Sequence, residues 1–363
     1  MGIAADNQNS PILILALILF VLGWGEGAAR VAIFMKHQSE AGFPILDFRT
    51  WQDAWSGYNP LETCSNPDVG PGKPPFLTYC TAGDMLHTNG LGLRGRDPDP
   101  EALAHGRVVV VLGASTVFGW GVASDDATHA GRIAQQLAAE KVAVLNAGVP
   151  SMELAGSMRL YETYLVRFSP RILVLYTGWD ALGNALMKSD YYQTISRMVR
   201  VSYLFKILFI KLFFQPFVLS DRFHPPEDPR AVDRYETQLV DFFHRHPQTR
   251  ILLLTLPTFF HAQTPFTPEA FVGMTEYSAS VPTLFRYFER INAMLRGLAR
   301  TPNVKVVDAA KDFQTVPRDQ IQSLFLGDIG HLSDAGHERL ARLLLPEVRA
   351  ALGMTETSRA NPL

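Results

Sequence analysis

Ser115 stands in the turn Gly113-Ala114-Ser115-Thr116, directly after the apolar run RVVVVLG at 107–113. A hydroxyl just past the carboxyl end of a buried strand projects at the crevice where open α/β sheets bind ligands. A Gly-x-Ser after an apolar run is by itself commonly just a turn, so its partners decide its meaning. Far along the chain, Leu326-Gly327-Asp328-Ile329-Gly330-His331-Leu332-Ser333 precedes a helix-like tail, with Asp328 three residues before His331 on one turn. A carboxylate so placed accepts from one imidazole nitrogen and fixes the tautomer whose other nitrogen takes a serine proton. Nucleophile, orienter and base thus occur in the order Ser115, Asp328, His331, which is the equipment of acyl transfer. Two more apolar runs end in polar or bare backbone. Asn146-Ala147-Gly148 closes one, where glycine lets an N–H approach a ligand. Thr177-Gly178-Trp179-Asp180 closes the other.

The elements that must position these groups are legible as five short apolar, β-branched-rich runs at 107–113, 142–149, 171–178, 250–257 and 303–309. Continuous rather than alternating hydrophobicity is what strands buried on both faces require. Helix-period segments lie between them, at 126–140 and 280–300, and a tail helix is expected from Asp334 to Leu352 with Ser333 as its N-cap. Strand and helix in alternation predict an α/β fold, a three-layer α/β/α arrangement around a five-stranded parallel sheet. The chain divides in this reading into an N-terminal membrane anchor (1–35), an irregular Pro/Gly/Trp/Tyr-rich stem (36–106), the α/β domain (107–352) with an apolar insertion at 190–225, and a tail (353–363). Within the insertion, 201–219 carries Lys206 and Lys211 on no single narrow face, so membrane contact and plain packing or a lid over the site both stand.

Composition narrows the function classes. The 33 Lys and Arg against 35 Asp and Glu leave a net charge of −2, which supplies no footprint for nucleic acid, and none is expected as a partner. Only the N-terminus carries a long charge-free apolar stretch, Pro11 to Gly25. Extended through Phe34 it reaches span length, with Glu26 and Arg30 one helical turn apart near the interface. An uncleaved anchor is the favoured reading; a cleaved signal peptide and a buried core helix are the alternatives, the former weakened because residues 2–10 hold no Lys or Arg. Cys64 and Cys80 enclose a polar loop, as a disulfide in an oxidising compartment would, or they are two unrelated thiols. These clues together favour an envelope or extracytoplasmic location over the cytosol, and the expectation is a single-pass inner-membrane protein with its main domain facing the periplasm. Asp328, His331, Asp334 and His337 recur every third residue, but Gly330 and Gly336 interrupt any continuous helix, so no metal site is expected. His337 reads as a surface helix residue, His244 and His246 as a helix end, and Arg94 as either a bridge from stem to core or a solvated charge.

The motif set Gly113-Ala114-Ser115, Asn146-Ala147-Gly148, Gly178-Trp179-Asp180 and Asp328-x-x-His331-Leu-Ser resembles the SGNH (GDSL-type) hydrolase family over about residues 107–352. The resemblance implies a flavodoxin-like sheet, Ser115 as nucleophile, His331 as general base and Asp328 as its partner. It implies an oxyanion hole from the backbone N–H groups of Ser115 and Gly148, with a third arm at position 180. Ala114 and Asp180 depart from the family pattern. The family has Asn at the latter position, and an ionised carboxylate donates nothing unless burial keeps it protonated; Asn184 is the other candidate donor. Trp179 and His261, at the crevice edge, are expected to touch substrate. The resemblance implies an esterase or O-acyl(acetyl) transferase on envelope glycan or lipid esters, working without metal or organic cofactor. The other class left open is a degenerate binding or scaffold protein of envelope polysaccharide assembly.

Overall fold

The computed structural model describes residues 20, 23–28, 81–82, 86–87, 89–122, 124–150, 152–185, 228, 230–258, 281–317, 319–326 and 330–354. All five apolar runs are strands: β1 (Val108–Gly113), β2 (Ala143–Gly148), β3 (Ile172–Tyr176), β4 (Arg250–Leu254) and β5 (Val304–Val307). They form one sheet in the order β2-β1-β3-β4-β5, every neighbouring pair parallel. The three central strands are buried on both faces, from Val108 through Leu112, Ile172 through Tyr176 and Ile251 through Leu254. The edge strand β5 instead turns Lys305 to solvent, where it pairs with Glu347. A lysine on the edge is one means by which a sheet discourages pairing with a second chain.

Crossovers between parallel strands, which as a rule are right-handed, sort the helices onto two faces. On one face α3 (His129–Leu137) packs against β2 and against the long C-terminal helix α9 (Asp334–Ala351). On the other lie α4 (Leu154–Thr163), α6 (Ala231–Arg245) and α7 (Val281–Gly297), with Tyr161 of α4 edge-on to Phe242 of α6 at 5.5 Å between ring centres. Shorter pieces complete the chain: α1 (Pro100–Ala104), α2 (Ser115–Phe118), α5 (Trp179–Ala185) and α8 (Ala309–Phe313). The sequence predicts helix from 126, but the chain there is a turn, and Thr128 caps α3 by accepting the Gly131 N–H at 3.0 Å. Ser333 caps α9 as expected, accepting the Gly336 N–H at 3.3 Å.

Of the stem, residues 81–82 and 86–87 pair as two short antiparallel strands, and residues 89–106 are built into this domain, with Leu93, Arg94 and Ala102 all buried. His337 corrects the sequence reading. It is wholly buried rather than on the surface, because α9 turns inward the stripe His337, Leu340, Leu344 and Val348. By Cα proximity the chain separates into residues 1–59 with 189–220, and residues 60–188 with 221–363. In the first unit, Phe20 and residues 23–28 are helical, with Phe20 and Trp24 exposed. Among the described residues no helix is long and apolar enough to cross a membrane. Most of the expected anchor at 1–35, both cysteines and the apolar insertion at 201–219 lie outside the described residues.

Candidate active site

The sheet's winding reverses between β1 and β3, and in open α/β sheets ligands bind at that point, beyond the carboxyl ends of the strands. Ser115 is the first residue of α2, which springs from the end of β1 there, with Ala114 at the N-cap. Gly113 is in register with Gly148 of β2 and Tyr176 of β3. Both glycines are required by close approach. A Cβ at 113 would run into the Tyr176 carbonyl oxygen, and one at 148 into the Phe118 backbone nitrogen. The strand-to-helix turn is thus held tight, with Thr116, Val117 and Phe118 buried behind a partly exposed Ser115.

His331 reaches the same point from the far end of the chain. Phe325 and Leu332 form an antiparallel bridge, and the Leu326 N–H donates to the His331 carbonyl at 2.9 Å. The Ser333 N–H donates to the Leu324 carbonyl at 2.9 Å, so the backbone is pinned on both sides of the histidine. Its Nε2 lies 2.8 Å from Ser115 Oγ. With the ring proton on Nδ1, Nε2 accepts from the serine hydroxyl, the arrangement of a nucleophile and its general base. Asp328 and His261 lie outside the described residues.

Trp179 opens α5 beside this loop. A Cβ on Gly330 would overlap its six-membered ring, and the indole meets Phe288 of α7 edge-on at 5.3 Å. The residue expected to touch substrate therefore lies against the segment that carries the base. The Gly148 N–H, an expected oxyanion arm, donates to Asn146 Oδ1 at 3.1 Å, so a developing oxyanion would share it.

Asp180 has other work than donating a proton. Its Oδ2 accepts from the Leu154 N–H at 2.6 Å, supplying the cap that Glu153 does not give α4. Its Oδ1 accepts from the Tyr235 hydroxyl at 2.9 Å, and that phenol in turn bonds the Thr177 hydroxyl. Both oxygens are used as acceptors, which makes the residue a brace between α4, α5 and α6. Burial pushes its carboxyl pKa upward, against the pull of the Leu154 and Tyr235 donors. The side chain of Asn184 lies outside the described residues.

Two further features escaped the sequence reading. Arg94, left open between bridge and solvated charge, is buried and bridges to the core. The second is a pair of buried imidazoles, His129 at the start of α3 and His337 in α9. Their Nδ1 atoms are 2.8 Å apart, the rings nearly coplanar at 8°, and the His129 backbone N–H donates to His337 Nδ1 at 3.2 Å. His337 Nδ1 must therefore be the acceptor, and His129 Nδ1 carries the shared proton. Burial holds the His129 pKa down to about 3, and His337 well below the usual imidazole range through burial and the nearby charges of His129, Arg94, Arg132 and His331. The signal was present in the α9 periodicity, where position 337 falls on the apolar stripe.

Residues 111–339 match the model of the GDSL-like lipase/acylhydrolase family. No curated protein matches the chain. Among solved structures, a lipase/acylhydrolase from Enterococcus faecalis is 18% identical, with 67% of this chain and 96% of that chain covered and a TM-score of 0.42. An acetylxylan esterase from Geobacillus stearothermophilus is 16% identical, covering 66% and 93% at a TM-score of 0.41. A member of the lipolytic protein G-D-S-L family from Veillonella parvula is 15% identical, covering 66% and 96% at 0.41. The matched stretch runs from within β1 into α9 and so contains both Ser115 and His331: the chain belongs to the GDSL-like lipase/acylhydrolase family and is an ester-hydrolysing enzyme.

Proposed function

We propose that this chain is a membrane-anchored serine esterase or O-acyl transferase acting on envelope glycan or lipid esters. The observation that carries the mechanism is the 2.8 Å approach of His331 Nε2 to Ser115 Oγ. Ser115 Oγ attacks the ester carbonyl as His331 Nε2 takes its proton. The tetrahedral oxyanion is held by the backbone N–H groups of Ser115 and Gly148, donors fixed before the charge appears. Collapse breaks the acyl–oxygen bond, and the departing alcohol takes the proton from His331. Water then attacks the acyl-serine with His331 again as base, releasing the acid and restoring the serine; in the transferase variant a sugar hydroxyl takes the place of water. Asp328, three residues before the base, orients the imidazole in this reading, Trp179 and His261 touch the substrate, and no metal or organic cofactor takes part. The apolar Pro11–Gly25 stretch supports a membrane tether, and the Cys64/Cys80 pair is what favours the periplasmic side of the inner membrane.

The test begins with purified protein and a fluorophosphonate ester that labels nucleophilic serine. Wild type is expected to label and to hydrolyse short-chain esters, while Ser115→Ala loses labelling and at least about a thousandfold in kcat. Labelling that survives in Ser115→Ala removes this serine from the mechanism. A panel of acyl chain lengths, with and without a sugar acceptor, then separates hydrolysis from transfer.

A further inference from the structure

Arg94 lies ahead of the stretch matched to the family, and its surroundings are unusual for an arginine: the side chain is only 2% exposed. Its Nε donates to Asp125 Oδ1 at 2.7 Å. Its Nη1 donates to two carbonyl oxygens, of Phe118 at 2.7 Å and Gly119 at 2.5 Å. Those carbonyls close the C-terminal end of α2, the helix that Ser115 opens, where Gly119 takes the left-handed conformation. A helix end leaves such carbonyls without intrahelical donors and carries partial negative charge, so a guanidinium satisfies both needs at once. The guanidinium also lies 5.0 Å from the centre of the Phe118 ring.

The backbone of the same residue has a second hold. Arg94 forms an antiparallel bridge with Asn146 of β2, two residues before Gly148. Gly148 in turn presses so closely on Phe118 that no Cβ fits between them. One residue therefore grips the strand end that presents one oxyanion arm and the helix that presents the nucleophile. We propose that Arg94 is a positioning residue, fixing the Ser115 and Gly148 N–H groups relative to each other for transition-state binding; this rests on the reading of Ser115 as nucleophile. Misplacing groups of this kind costs rate more than ground-state binding.

The test uses the full chain. Arg94→Lys keeps the charge but replaces a planar fork with one ammonium, which cannot serve the carboxylate and both carbonyls in the same geometry. Expressed per active site by fluorophosphonate burst titration, so that unfolded protein is not counted, kcat is expected to fall about 10- to 100-fold with KM changed less than about twofold. A kcat within about threefold of wild type overturns the proposal, as does a loss carried by KM alone. Asp125→Asn keeps the guanidinium on its two carbonyls and removes only the ionic partner. It is expected to unfold at lower urea while keeping kcat per titrated site within about threefold. A tenfold or larger fall in Asp125→Asn overturns the proposal, because loosened packing then accounts for the rate, and this arm decides the matter if Arg94→Lys does not fold. Turnover persisting in Ser115→Ala defeats the nucleophile reading, whereas its loss beside a normal Arg94→Lys kcat defeats only the role given to Arg94.

Discussion

Asp180 shows how one atom's difference redirects a side chain. Asparagine at this position would bring an N–H₂ to the site; the carboxylate brings two acceptors, and both are taken, by the Leu154 N–H and the Tyr235 hydroxyl. Burial raises its pKa above that of the unfolded chain. The folded state therefore holds this proton more tightly than the unfolded state, and stability falls as pH rises from the unfolded carboxyl value, about 3.9, up to the raised folded value. Above that window the charged carboxylate remains a constant cost. Asp180→Asn removes the titration while an amide still accepts from Leu154, and Tyr235 rotates to accept from the new N–H₂. The expected outcome is a urea midpoint that shifts in favour of Asp180→Asn as pH is raised from 4 toward 7. Parallel wild-type and variant curves would show that the carboxyl is not shifted. At this scale the sequence made the departure at 180 visible, but not its reason. The reason is Tyr235, 55 positions away.

Among the elements, the strands were the most legible, because a run such as Val108–Leu112 buried on both faces has no polar side to confuse the period. The turn after β1 was legible as a Gly-x-Ser motif, yet what holds it in place was not: Gly148 comes from another strand, and the steric reason for its glycine is the backbone of Phe118. That contact makes a prediction about two elements at once. In Gly148→Ala the methyl group must push α2 off β2, a form of overpacking that costs about 1–3 kcal/mol. Urea unfolding should register that loss, and burst titration should show that even the folded fraction has lost most of its turnover, since the displaced helix carries Ser115. Retained kcat per titrated site would mean that α2 can move without harm. The helix α9 was likewise legible in extent and in its Ser333 cap, while the inward turn of His337 required reading a histidine as part of an apolar stripe.

For the molecule as a whole, the coplanar pair of His129 and His337 joins the first turns of α3 and α9 across the chain's 208-residue separation of these positions. Both imidazoles have pKa values depressed below the unfolded value, so the unfolded chain binds more protons below about pH 6.5. Stability from the pair is thus fully present above that pH and is lost as pH falls toward about 3, the His129 value. His129→Phe removes one titrating ring, and its stability should decline less steeply than wild type between pH 6 and 4 in chemical unfolding; an unchanged slope would mean that the pair does not govern acid sensitivity. Such a pairing was beyond the sequence because nothing in either segment names the other. The overall architecture was within reach because the order of strands and helices leaves few right-handed windings. One consequence concerns how the molecule is to be dissected. The border of the sheet opposite β5 is β2, and what runs along it is the segment around Leu93 and Arg94, fastened further by the Tyr164 hydroxyl donating to the Leu91 carbonyl at 2.9 Å. A fragment begun at residue 107, where the strand pattern starts, would bare that border as a template on which a second copy could zip, so any working fragment has to begin upstream of Asn89.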